Sequence, residues 1–466
     1  MEPTLRMMEP LRVKGLTFRN RVMRSSLGGK FAYFDGSVND AWVHFEKRFA
    51  KSGVAALVSA TITVDDRRWA PIEYPRLSDD RFVPSYRRAV AALKAAAPDT
   101  HYILQLGDGG AHVQNSLFSQ PEDARSASAV FDLLYGYRNV GVAMTEEEIA
   151  RTIDRFADAA RRVRDIGCDG VEITASKGYL IHQFLNPGIN RRRDRWGGSN
   201  EGRFRLLGEV AARVRAAVGD DFLFGVRLSA VDYNHSPVNL RLPPTWPLRH
   251  WWIGNGLAET TWFAERLEAL GVDYLHISAG YGFINPKENP GDFPVREVTM
   301  FANASRHLSA KAALRAALLN TIPDAVLKAV MGMGWRKSEG DNARLAREFK
   351  RVVKIPVIAN GGFQRRADIE RALTDGDCDL VSMARPLLAN PDLLQVLQRQ
   401  DAPARPCSFC NRCAVLTAVQ PVGCYDPARF DSQDAMEEAI LRWSVDPDLD
   451  PRDAVAADTP PPRRAG

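Results

Sequence analysis

The sequence predicts an α/β fold, a (β/α)8 barrel with a helical insertion near 281–340 and a Cys-rich C-terminal extension. Three observations predict it. Eight short apolar, β-branched segments recur along the chain. Amphipathic segments lie between most of them. The Gly-rich dinucleotide fingerprint that an open doubly wound sheet places after its first strand is absent, since MRSSLGGK lacks the spacing.

The strand segments are 21–27, 56–64, 101–107, 170–176, 223–230, 273–280, 356–362 and 380–386. Their continuous apolar runs suit strands buried on both faces, as in parallel sheets. The clearest helix is 145–166. Ile149, Ile153, Phe156, Ala160 and Val163 recur at helical spacing. Thr145 with Glu148 forms a capping-box pattern, and Gly167 supplies the stop. Residues 232–258, rich in Pro, Trp and Asn, predict a long loop. Residues 281–340 start as a Pro/Gly loop and continue as an apolar, basic helical stretch. A lid or subdomain on the barrel is the main expectation there. Peripheral membrane contact through 310–335, or a partner interface, are the alternatives. The expected organisation is a barrel over 1–400, a Cys-rich segment over 401–430, and an extension over 431–466. A disordered tail is expected from about 445, where Asp and Pro dominate.

The 466 residues are 45% apolar and 26% charged, which excludes a largely disordered or collagen-like chain. A net charge of +5, with scattered basic residues, argues against nucleic-acid binding as the main activity. No apolar run reaches the roughly 18–20 residues that span a bilayer. The first residues, MEPTLRMMEP, lack the apolar core of a secretory signal. A cytoplasmic protein acting on a small molecule is the expectation. Oligomeric state is left open.

In such a barrel the chemistry sits at the C-terminal strand ends. Those ends hold Ser25 and Ser26, Ala60 and Thr61, Gln105, Thr174 and Lys177, Arg227, Gly361 and Gly362, and Ala384 and Arg385. Glycines after strand seven and an Ala-Arg after strand eight describe a phosphate site. Glycine lets backbone N–H groups approach the oxygens, and arginine adds charge.

The stretches EPLRVKGLTFRNRVMRSS, ILQLGDGG, GVEITASKGYLIHQFLNPGINRRRDRWGGSNEGRF, GVDYLHISAG, IPVIANGGF, ARPLLANPDL and CSFCNRC run from about residue 8 to 425. Together they resemble the old yellow enzyme family of FMN-dependent oxidoreductases, NADH:flavin oxidoreductases included. The resemblance implies FMN at the barrel mouth, reduced by NAD(P)H and oxidised by an acceptor such as an activated C=C bond, or the reverse dehydrogenation, with a divergent member lacking ene-reductase activity as an alternative. It implies that Ser25, Ser26 and Leu27 back the flavin and that Ala60 lies near its edge. Gln105 would hydrogen-bond the pyrimidine part of the ring. Arg227 would stand beside N1 and O2, where reduced flavin is anionic. Gly361, Gly362, Ala384 and Arg385 would grip the phosphate.

The sequence departs from the family where the acceptor binds. After strand four the family usually has His-x-x-His or His-x-x-Asn followed by Gly-Tyr. Here the run is Thr174-Ala-Ser-Lys177-Gly-Tyr179. Thr and Lys still donate hydrogen bonds. A lysine could stabilise an enolate or hold a substrate carboxylate. Tyr179 matches the family's proton donor. Asp108, Ala111 and Gly28 also replace residues common in the family. The flavin cradle is kept while the acceptor side is rewritten.

Four cysteines follow as Cys407-x2-Cys410-x2-Cys413-x10-Cys424. The segment resembles that of a branch that binds [4Fe–4S], which spaces its second and third cysteines one residue further apart. A [4Fe–4S] cluster, a zinc ion and plain reduced thiols all stay open. Cys168 and Cys378 are expected in the core. Two other functions stay in view. One is a flavin-binding electron-transfer subunit serving a redox partner protein. The other is a lyase or aldolase using Lys177 as a Schiff-base nucleophile.

Overall fold

The computed structural model describes residues 5–29, 31–66, 74–112, 124–129, 133, 141–235, 239–240, 249–282, 285–287 and 289–449. Its centre is a closed barrel of eight parallel strands. In chain order these are β1 (Val22–Arg24), β2 (Ala56–Thr63), β3 (His101–Gly107), β4 (Gly170–Ala175), β5 (Leu223–Ser229), β6 (Tyr274–Ser278), β7 (Val357–Asn360) and β8 (Leu380–Met383). Each pairs with the next, and β8 pairs with β1. All eight strand segments predicted from the sequence are therefore present, trimmed at their ends.

Helix Glu146–Ile166 follows its pattern. Thr145 and Glu148 make both capping-box bonds, and Gly167 ends the helix at φ +92°. Its apolar stripe, Ile149, Ile153, Phe156, Ala160 and Val163, is buried in the layer between helices and barrel. Cys168 and Cys378 are buried in the same layer. A short N-terminal hairpin, Leu11–Val13 with Leu16–Phe18, precedes the barrel. Its Val13 and Phe18 pack with Met23, Ala56, Ile103, Leu223, Ile358 and Leu380, residues at or near the strand starts. The N-terminal mouth is thereby plugged with apolar side chains. Polar chemistry is left to the other mouth.

The insertion contains helices Val295–Ser305, Ala310–Thr321 and Asp324–Met331. They share a small core of Phe293, Val298, Ala302, Ala316, Leu319 and Leu327, joined by Val415 of the Cys-rich segment. Among the described residues no helix is long and apolar enough to cross a membrane. The packed chain continues past the tail boundary near 445. Trp443 stacks on Phe49, with ring centroids 4.7 Å apart. Lys47 donates to Asp446 at 2.9 Å and also pairs with Asp448. Residues 450–466 lie outside the described residues.

One buried ion pair ties β1 to helix Asp40–Ala50. Arg24 and Glu46 are both fully enclosed and bonded to each other. Arg24 also donates to the carbonyl of Val58 at 2.7 Å and lies over the Phe49 ring. Burial lowers its guanidinium to a pKa of about 10. Removing one partner leaves an uncompensated charge. Glu46→Ala is expected to cost about 3–5 kcal/mol in denaturant unfolding, and a cost near zero would show the pair to be dispensable.

Candidate functional site

The polar interior of the barrel is organised around Glu172, a fully buried carboxylate on β4. Gln105 Nε2 on β3 donates to Glu172 Oε1 at 2.6 Å. The Tyr274 hydroxyl on β6 donates to Oε2 at 3.0 Å. His276 Nδ1 lies 2.9 Å from the same oxygen. His276 Nε2 lies 2.8 Å from Ser382 Oγ on β8, which is 3.3 Å from Asn360 Oδ1 on β7. On the other side, the Thr61 hydroxyl donates to Gln105 Oε1 at 2.6 Å. Tyr274 and His276 are two apart on one strand, so both face inward. Gly225 makes room, since a Cβ there would collide with the Tyr274 ring. Burial pushes the Glu172 carboxyl up. His276, Arg227 and Gln105 outweigh it and hold the group below its ordinary value.

Above this network a cavity opens at the C-terminal strand ends. Ser25, Ser26, Leu27 and Gly28 after β1 line it, with Thr61, Lys177, Tyr179, Arg227, Gly361, Gly362, Ala384 and Arg385. Arg227 Nη1 donates to Ser25 Oγ at 2.9 Å. Gly361 and Gly362 sit at φ +144° and +71°, conformations that favour glycine. Arg385 donates to the carbonyl of Pro290 at 2.9 Å, bonds Asn411, and lies over the Phe409 ring. A Cβ at Gly28 would meet nothing within 4 Å, so the wall is open there. The residues fit FMN. Left-handed glycines and a cation stand at the β7–β8 side for a phosphate, and a hydroxyl-bonded cation stands near β1 and β5 for an anionic ring.

Three expected site residues lie elsewhere. Ala60 is buried and Thr61 lines the cavity instead. The register between β2 and β3 shifts between Val58 and Thr61, and such an irregularity re-aims side chains. Gln105 lies below the cavity, with both ends of its amide engaged by Glu172 and Thr61. Thr174 is also below it, its hydroxyl 3.5 Å from Ser176 and its methyl beside Gly107. These three side chains are thus not among those that line the cavity.

Lys177 and Tyr179 do reach the cavity. The turn that presents Lys177 is held from both sides. Lys177 and Gly178 have φ +60° and +72°. The Gly178 N–H donates to His182 Nδ1 at 3.0 Å, and Gln183 Nε2 donates to the Gly178 carbonyl at 2.7 Å. Since His182 Nδ1 accepts, its Nε2 carries the proton toward Asp232 Oδ1 at 2.8 Å. Tyr179 is buried, and its hydroxyl is 3.3 Å from that of Tyr74. Burial above all, then Tyr74, raises its phenol well above the ordinary tyrosine value. Sequence reasoning missed Tyr74, His182, Glu172 and His276. A Glu and a His in the middle of apolar strands were the available signal for the last two.

The Cys-rich segment forms part of the cavity wall through Cys413, Ala414, Val415, Thr417, Ala418 and Val422. Cys424 Sγ accepts from Arg429 at 3.1 Å. Burial pushes the Cys407 thiol up to about 11. Among the described residues no group of three or more His, Cys, Asp or Glu side chains is arranged to hold a metal ion. Cys407, Cys410 and Cys413 each feel the charge of Cys424, so the four thiols share one neighbourhood.

A model of the NADH:flavin oxidoreductase / NADH oxidase family matches residues 6–239 and 296–402. The chain is 29% identical over 418 residues to a metal reductase of Desulforamulus reducens, covering 89% of this chain and 52% of that protein. It is 30% identical over 294 residues to a probable NADH-dependent flavin oxidoreductase of Bacillus subtilis, covering 62% and 72%. The fold matches an old yellow enzyme homologue of Zymomonas mobilis with a TM-score of 0.61 at 21% identity, covering 87% and 96%. The chain thus spans about half the length of the metal reductase it matches.

A depressed carboxylate contributes stability above its unfolded value, about 4.3, and loses it as pH falls through the folded value. Glu172→Gln is therefore expected to lower unfolding stability by about 1–3 kcal/mol at pH 7, with the difference shrinking below about pH 4. A difference independent of pH in urea titrations would contradict an ionised Glu172.

Proposed function

Because the chain belongs to the NADH:flavin oxidoreductase / NADH oxidase family, we propose that it is an FMN-dependent oxidoreductase that reduces an activated C=C bond at the expense of NAD(P)H. The supporting observation is the single cavity that joins the glycine–arginine rim, Arg227, Lys177 and Tyr179. When bound, FMN supplies two-electron chemistry, accepting hydride from NAD(P)H and giving it to an acceptor. Gly361, Gly362, Ala384 and Arg385 would hold its phosphate. Ser25, Ser26 and Leu27 would back its ring, with Arg227 beside the part that becomes anionic.

The chain's own residues act on the acceptor. Lys177 places a cation where negative charge gathers on the acceptor. Tyr179 gives its phenolic proton to one alkene carbon while the neighbouring carbon receives hydride. NAD(P)H leaves as NAD(P)+, the alkene is reduced, and Tyr179 regains a proton on the side where Tyr74 stands, 3.3 Å away. The Schiff-base alternative for Lys177 has no support beyond the lysine itself. The second reading is a flavin-binding electron-transfer subunit, in which electrons pass from the flavin to a partner protein.

Anaerobic protein is expected to show a flavin spectrum that NADH or NADPH bleaches and an enone restores. Colourless protein that takes up no FMN would overturn the proposal, and bleaching without recovery by any enone would favour the partner reading. Tyr179→Phe is expected to slow reoxidation by the enone about 100-fold or more, far more than it slows bleaching. With its phenol held well above the ordinary value, the wild-type reoxidation rate is expected to stay flat between about pH 6 and pH 9. A rate falling across that window would assign the proton to another group.

A further inference from the structure

We infer that the outer face of the insertion, carried by helices Ala310–Thr321 and Asp324–Met331, docks on an anionic lipid surface.

A helix on a protein surface ordinarily turns its apolar stripe inward and its charged residues to water. Helix Ala310–Thr321 departs from this. Its charged residues are Lys311, which is buried, and Arg315, which is half-buried. Beyond its first residue, the exposed positions are Ala313, Leu314, Ala317, Leu318, Asn320 and Thr321. Leu314 is 51% exposed and Leu318 40%, one turn apart on the same side. The two polar residues there bond within the protein. Asn320 Nδ2 donates to Asn303 Oδ1 and to the Ala316 carbonyl, both at 2.6 Å. The Thr321 hydroxyl donates to the Ala317 carbonyl at 2.8 Å.

The next helix repeats the arrangement. Leu327 is buried in the small core of the insertion. Val326 and Val330 are 48% and 59% exposed, and Met333, just beyond the helix, 66%. Both exposed faces thus look away from the core that the two helices share with Val298 and Ala302.

Charge identifies what covers them. Residues 306–337 hold six Lys or Arg and one acidic residue, Asp324. Their net +5 equals the formal net charge of the whole chain, so the remaining sequence is balanced. Arg306 stands before the two helices, Lys328 within them, and Arg336 and Lys337 after them, all exposed. Arg336 reaches Asp341 at 3.3 Å and Lys337 reaches Asp292 at 3.9 Å, exposed pairs of the kind that hold their charges weakly.

A second copy is a poor match. A two-fold contact sets each patch against itself, and here positive would meet positive. A protein partner is oriented by directional hydrogen bonds, and the polar side chains on the exposed face of Ala310–Thr321 are already engaged. An anionic bilayer needs neither. Its acyl region accepts Leu, Val and Met side chains, while its phosphates meet the long Lys and Arg side chains at the border. Both helices pack on Val295–Ser305, whose Phe301 lines the cavity, so docking brings lipid to the helix that forms part of the cavity wall.

The test is flotation of the full-length protein with vesicles of phosphatidylcholine, alone or with about 30% phosphatidylserine. Binding is expected to be at least about tenfold tighter on the anionic vesicles, and to weaken about tenfold between about 0.1 and 0.5 M salt. Leu314→Ser with Leu318→Ser, and separately Arg306→Glu with Lys328→Glu, are each expected to reduce binding about tenfold or more. Leu449→Ser, at an exposed leucine outside the insertion, is expected to leave it unchanged. Thermal melting and circular dichroism establish that each variant is folded. No binding of the wild type to anionic vesicles, or binding that survives either paired change in folded protein, would overturn the inference. A dimer in sedimentation that dissolves on Leu314→Ser with Leu318→Ser would overturn it by giving the face to a second copy. Failure to float, with an acidic protein retained by the wild type and lost by the same variant, would overturn it in favour of a protein partner.

Discussion

A carboxylate enclosed in a parallel barrel constrains everything above it. Glu172 has no access to water, so its oxygens must be satisfied by protein donors. Gln105, Tyr274 and His276 supply them from two different strands. Meeting that demand fixes the rotamers of all three and, through Gln105 and His276, of Thr61 and Ser382. The cavity floor is therefore rigid before any ligand enters. Arg227 sits on this floor with a buried negative charge beneath it and Ser25 beside it. A cation in that setting keeps its place at the ring side of the cavity.

The same logic separates the two ends of the barrel. The N-terminal end is closed by a hairpin whose Val13 and Phe18 pack on apolar side chains. The C-terminal end carries the left-handed glycines, the Lys177 turn and the paired tyrosines. The left-handed backbone of the Lys177 turn is held by hydrogen bonds from the buried side chains of His182 and Gln183. His182 illustrates the division of labour. It does not line the cavity, yet its tautomer and its partner Asp232 determine how the peptide after Lys177 lies.

Much of this was legible in the sequence. Eight apolar segments specified eight strands, because burial on both faces leaves a continuous apolar run. Thr145, Glu148 and Gly167 marked a helix, because capping is local chemistry. Gly361, Gly362 and Arg385 marked the rim, because position on strands seven and eight carries the meaning. What was not legible depends on tertiary register. A shift in the pairing of β2 put Thr61 rather than Ala60 on the wall. The carboxylate that engages the Gln105 amide comes from a neighbouring strand, a pairing that no local pattern announces. Tyr74 lies in a connection with no local signal, and its meeting with Tyr179 exists only in three dimensions. From about 445 the composition reads as a disordered tail, yet Asp446 and Asp448 pair with Lys47 on the first barrel helix.

The wall contributed by residues 413–422 gives the molecule a property of assembly. Barrel strands supply one side of the cavity, and a segment that follows the last barrel strand supplies the other. A ligand seated between them touches both and is recognised only when the segment has docked. Such a ligand acts as an internal adhesive whose effect grows with its free concentration relative to its dissociation constant. Cofactor supply would then set the lifetime of the chain in the cell as well as its activity. Protein made when flavin is scarce would fray first at this seam, exposing the cysteines to oxidants and the segment to proteases.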